Sequence, residues 1–154
     1  MIEQNMAQIL AVERAALHNF VSLYTNTAHL NHQVYPLWRV QDLLSHMVFW
    51  QEAFARNVKA MALDQPLQPL RGSMKELNEE SVLGDGSIDE LLERLYRAQQ
   101  DIEKYTVKLP LDAQIPYRKN AQKYTPIRHV AVAAEHFTYH TKHIKNAVET
   151  GVVQ

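Results

Sequence analysis

Four of the eight histidines in this chain, His129, His136, His140 and His143, fall between Arg128 and Ile144. Imidazole ligates divalent metals and exchanges protons near neutral pH. At about 100° per residue the four side chains fall within an arc of roughly 60° on one helix face. His136 and His140 stand one turn apart, near enough for a single bound atom to touch both. Val130, Phe137, Ile144 and Val148 form the neighbouring apolar stripe. A seam of imidazoles therefore borders the core face of a C-terminal helix.

A fifth histidine, His46, lies in the middle of a second apolar face made by Leu43, Met47, Trp50, Ala53 and Phe54. An imidazole placed there must satisfy both ring nitrogens. His46, His136 and His140 can meet if the two helices face each other. Neutral imidazoles suit zinc, nickel, copper or ferrous iron. Three protein ligands with an open position form the catalytic arrangement of zinc, whose bound water falls to a pKa of about 7. The alternative is a set of core-edge histidines bonded to carbonyls or carboxylates, and the spacing alone leaves both open. His129 and His143 read as flanking residues, either outer partners of the ligands or acid–base groups above an open metal position. Trp50, Phe54 and Phe137 read as core that could also wall a pocket. Asp42 reads as helix-start charge. Glu135, about 100° off the seam, and the loop residues His29 and His32 read as solvated.

The elements that must position these groups are long amphipathic helices. The first is expected from Ile2 to Tyr24, with Ile2, Ile9, Val12, Ala16, Phe20 and Leu23 on one side and His18 in solvent. A polar loop, Thr25–Gln33, and Val34-Tyr35-Pro36 follow. The second helix starts near Trp38 to Val40 and runs to about Ala62, without a Ser, Thr or Asp cap at its start. From Leu63 to Gly86 a crossover carries Pro66, Pro69, Gly72 and a short helix over Met74–Ser81, and its length suits a path over the bundle surface, with room to reach across its mouth. Ser87 and Glu90 form a capping box for the third helix, whose apolar face is Ile88, Leu91, Leu92, Leu95, Ala98, Ile102 and Tyr105, ending before Leu109-Pro110. Thr125-Pro126 opens the last helix, and Gly151 fits its left-handed stop. Four such helices predict a single all-α domain, a four-helix bundle with a long crossover between helices 2 and 3, of the kind that builds cofactor sites from facing core side chains.

Composition narrows the chemistry. With 154 residues, a net charge of −1 and interspersed signs, no field favours nucleic acid or anionic membrane. The absence of cysteine excludes disulfides, thiolate metal ligands and a cysteine nucleophile, so any thiol must arrive with a co-substrate. No basic-then-apolar leader opens the chain and no apolar run reaches 18 residues, so a soluble cytoplasmic protein is expected.

At its two histidine motifs the sequence resembles the DinB-like (DinB/YfiT) superfamily of bacterial four-helix-bundle proteins. The family's W-S-x-x-D/E-L-L-x-H pattern stands here as Trp38-Arg39-Val40-Gln41-Asp42-Leu43-Leu44-Ser45-His46, and its H-x-x-x-H-x-x-Q-I as His136-Phe137-Thr138-Tyr139-His140-Thr141-Lys142-His143-Ile144. The Ile115–Arg118 to Thr125-Pro126 region also looks like the family's lead-in. The resemblance implies a DinB-like fold and a zinc or nickel triad of His46, His136 and His140. It further implies metal-dependent hydrolysis or transfer to a low-molecular-weight thiol, a small-molecule substrate and a homodimer. Arg39 departs from the usual Ser/Thr. His143 replaces the common Gln and puts the coordination number in question. A non-catalytic metal- or ligand-binding homodimeric bundle is the alternative.

Overall fold

The computed structural model describes residues 2–154, with side chains from Asn5 onward. The chain is predominantly helical: α1 (Ile2–Ser22), α2 (Val40–Ala62), α3 (Met74–Ser81), α4 (Ile88–Thr106) and α5 (Pro126–Thr150). Two antiparallel pairs of very short strands interrupt the connections, β1 (Gln33–Tyr35) with β2 (Trp38–Arg39) and β3 (Ile115–Pro116) with β4 (Lys123–Tyr124). The α1–α5 and α2–α4 pairs share the longest contacts, and α2 also meets α5. No helix among the described residues is long and apolar enough to cross a membrane.

Local chemistry sets the helix ends. Ser87 and Thr125 accept from the backbone N–H of Glu90 and Arg128 at the starts of α4 and α5, each cap being worth roughly 1 kcal/mol. Gly151 closes α5 at φ +71°. The start of α2, without a conventional cap residue, is held by Asp42, whose Oδ2 accepts from Arg39 N–H at 2.8 Å. Asp42 thus caps the backbone directly, beyond the dipole effect expected of it.

The inner face of α1 differs from expectation. Met6, Leu10, Glu13, Leu17, Phe20 and Tyr24 are buried, while Val12 is exposed; Ile2 lies outside the residues whose side chains are described. The reason is Glu13, which occupies a helix-periodic core position and is 0% exposed. A charged residue at that register hides the true stripe and favours its neighbour. Two glutamines accommodate the carboxyl. Gln99 Nε2 donates to Glu13 Oε1 at 2.7 Å, Gln51 Nε2 lies 3.5 Å from Oε2, and Gln51 Nε2 donates to Gln99 Oε1 at 3.1 Å. These donors oppose desolvation without overcoming it: burial pushes the Glu13 carboxyl up from 4.5 to about 7.

The other helices bury the expected faces, including Leu43, His46, Met47, Trp50, Ala53 and Phe54 on α2 and Val130, Phe137 and Ile144 on α5. The crossover is pinned to α2 where Ser45 Oγ donates to Ser81 O at 2.7 Å. Gly84 makes the close approach, since a Cβ there would stand 2.6 Å from Ser45 Oγ.

Because the folded state binds the Glu13 proton more tightly than the unfolded chain, this residue's stabilising contribution is complete below pH 4.5 and is lost as pH rises through about 7. Glu13→Gln is therefore expected to raise stability at pH 8, by roughly 3 kcal/mol at most, and to change it little at pH 4. Denaturant unfolding at the two pH values checks this; an equal effect at both would refute the assignment.

Candidate metal centre

Helices α2 and α5 face each other so that His46, His136 and His140 converge. His46 Nε2 lies 3.0 Å and His140 Nε2 2.9 Å from His136 Nε2, and one potential ligand atom from each residue lies within 4.8 Å of the others. His46 is 3% and His140 5% exposed; His136 is half-buried.

A hydroxyl outside the cluster sets the tautomer of His46, and another constrains those of His140 and His143 together. Ser81, the last residue of α3, donates its single hydroxyl proton to the Asn78 carbonyl at 2.6 Å. Its oxygen can therefore only accept from His46 Nδ1, 2.8 Å away. His46 Nδ1 must carry the hydrogen, leaving the Nε2 lone pair aimed at the other two rings. On α5, Tyr35 Oη bridges His140 Nδ1 at 2.9 Å and His143 Nδ1 at 2.7 Å. With one hydrogen, Tyr35 accepts from one ring and donates to the other. If His140 gives its Nε2 lone pair to a metal, its Nδ1–H donates to Tyr35, which in turn donates to His143.

Burial keeps all three imidazoles neutral, the form a metal requires. Desolvation, followed by the proximity of His136 and His140, lowers His46 from 6.5 to about 2. Desolvation lowers His136 to about 4, and desolvation with neighbouring His136 and His143 lowers His140 to about 3. Zinc–nitrogen bonds of about 2.0–2.1 Å at tetrahedral angles set donor nitrogens about 3.3–3.4 Å apart. The two short edges need open by only a few tenths of an ångström, while the third, within 4.8 Å, closes toward the same length, so the donor set could hold a divalent ion.

The other expected residues take different positions. His143 does not join the cluster but is tied to it through Tyr35. His129, expected as a flank of the site, instead stacks flat on Phe54, ring centroids 3.7 Å apart, and is 4% exposed. Desolvation lowers it to about 3, and its Nδ1 has no partner among the described residues. With Trp50, Tyr117 and His136 it lines a cavity of about 20 Å³, room for one water molecule. His32 is not simply solvated: its Nε2 donates to Ala147 O at 2.8 Å. His29 and Glu135 are exposed as expected. Ser81, Tyr35 and Trp38, whose ring lies 4.8 Å from that of His46, went unpredicted as site residues. A serine ending a short helix and a tyrosine before proline carry no periodic signal; only packing reveals them.

No protein-family model matches the sequence, and no curated protein or solved structure matches it either.

Ser81→Ala and Tyr35→Phe are each expected to weaken zinc binding by about 10- to 100-fold without loss of helicity, read by competition with a chromophoric chelator. Unchanged affinity in both would show that these hydroxyls do not orient the ligands. Without metal, the lowered histidines stabilise the fold fully above pH 6.5 and lose that contribution as pH falls toward about 4 and below. In a Glu13→Gln background, stability should therefore rise monotonically from pH 4 to 6.5, and a flat profile would contradict the burial of neutral imidazoles.

Proposed function

We propose that the protein is a divalent-metal-dependent enzyme built on a DinB-like four-helix bundle, with His46, His136 and His140 as its ligands. The observation that carries this reading is the convergence of three Nε2 atoms from two helices, with the His46 lone pair held toward the others by Ser81. Zinc or nickel suits three neutral imidazoles, and His136, half-buried, is the least enclosed of the three. A metal held there would lower the pKa of a bound water or of a low-molecular-weight thiol, supplying a nucleophile for hydrolysis or thiol transfer. The chain's own part is to keep the imidazoles neutral by burial, to set the His46 tautomer through Ser81, to tie His140 to Tyr35, and to pack Trp38 and Trp50 against the His46 ring. The resemblance in the two histidine motifs supports the same class, together with a small-molecule substrate, a homodimer and a cytoplasmic location.

One observation favours a second reading, a hydrogen-bonded cluster without metal. His136 Nε2 lies within hydrogen-bond distance of both other Nε2 atoms, so a single His136 N–H shared between them would satisfy the seam. Elemental analysis of untagged protein separates the two. About one equivalent of zinc or nickel is expected, lost in His46→Ala, His136→Ala and His140→Ala at unchanged helicity. Metal retained by the variants, or none bound after reconstitution at neutral pH, would overturn the triad.

A further inference from the structure

We infer that His136 is the adaptable member of the triad: without metal its hydrogen sits on Nε2, between the other two rings, and metal binding moves it to Nδ1. His46 and His140 stand in the ligand form from the start. The inference deepens the metal reading by naming the step that controls loading of the site, and it rests on that reading for the loaded state.

Each of the three rings is neutral and so carries a single N–H. Ser81 takes the His46 hydrogen at Nδ1, which leaves His46 Nε2 bare. His46 Nε2 and His136 Nε2 lie 3.0 Å apart. At that separation two bare nitrogens repel, whereas one hydrogen between them makes a bond. That hydrogen can only be His136 Nε2–H. His140 Nε2 lies 2.9 Å from the same nitrogen, so a second N–H there would meet the first head-on. His140 Nε2 is therefore bare as well, and its hydrogen sits on Nδ1, 2.9 Å from Tyr35 Oη. Tyr35 accepts it and donates its own to His143 Nδ1 at 2.7 Å, which puts the His143 hydrogen on Nε2. The four imidazoles and the Tyr35 hydroxyl thus form one ordered chain of hydrogen bonds.

Ligation through three Nε2 atoms needs all three bare. Two are, and the His136 hydrogen occupies the space between them. The other nitrogen of that ring has room for it. His136 is half-buried, and the buried side-chain atoms without a partner among the described residues are His129 Nδ1 and Thr141 Oγ1. The unbonded His136 Nδ1 is therefore open to water. A water takes the hydrogen from Nε2 and another returns one to Nδ1, so the ring stays neutral and no net proton is gained or lost. His46 and His140 have no such freedom while Ser81 and Tyr35 hold their Nδ1–H groups.

The test uses full-length protein with ¹⁵N-labelled histidine rings, whose nitrogen shifts separate N–H from bare positions. Spectra are taken at neutral pH without metal and after saturation with zinc. Without metal, hydrogen is expected on Nδ1 of His46 and His140 and on Nε2 of His136 and His143. With zinc bound, the His136 hydrogen should appear on Nδ1 while the other three stay in place. Hydrogen on His136 Nδ1 before zinc is added, or a change at His46 or His140 on loading, would overturn the inference and leave the metal site standing. Zinc bound with the His136 hydrogen still on Nε2 would overturn the switch and remove that nitrogen from the ligand set. Failure to take up zinc would overturn the metal reading and the loading step with it.

Discussion

The structure turns on the burial of His46. An imidazole in the middle of an apolar helix face has two nitrogens to satisfy and no water to satisfy them. Here each nitrogen meets a different part of the chain. Nδ1 is answered by Ser81 at the end of α3, whose own proton is committed to the Asn78 carbonyl, and Nε2 is left to meet His136. The Leu63–Gly86 crossover therefore does more than connect two helices. It folds down on α2, anchored by the Ser45–Ser81 bond and the close passage of Gly84, and brings the acceptor that fixes a tautomer.

The core thus contains two polar clusters with opposite electrostatic consequences. Around Glu13, two glutamine amides hold a carboxyl whose charge is disfavoured by burial. Around His46, three imidazoles lose their charge for the same reason. Desolvation drives both groups toward neutrality, raising the carboxyl and lowering the imidazoles. In the histidine cluster this leaves lone pairs available at neutral pH, as ligand chemistry requires. In the Glu13 cluster it leaves a carboxyl that titrates near physiological pH, with Gln51 spanning from that cluster toward the cavity beside His136. A core that tolerates both has traded apolar packing for fixed polar geometry.

Periodicity is a property of one helix at a time, and it made much of this protein legible. The seam of His136 and His140, the central place of His46, the Ser87 and Thr125 caps and the Gly151 stop follow from 3.6-residue spacing and local hydrogen-bonding needs. Those signals sufficed to nominate the three histidines that converge. They failed where a polar residue took a core register, as Glu13 did on α1, because hydropathy reads charge as exposure and shifts the face by one position. They failed again for His129, whose place on the seam was right but whose ring is claimed by Phe54.

Sequence alone determined the helical elements and the residues able to ligate a metal, because both depend on side-chain type and spacing along one helix. Tertiary structure decided which nitrogens point where. Ser81 and Tyr35 approach His46 and His140 across sequence separations of 35 and 105, and no local pattern encodes such a pairing. It arises only when the crossover and the β1–β2 hairpin pack against α2 and α5, where each hydroxyl has a single proton to give and the surrounding burial makes its direction matter.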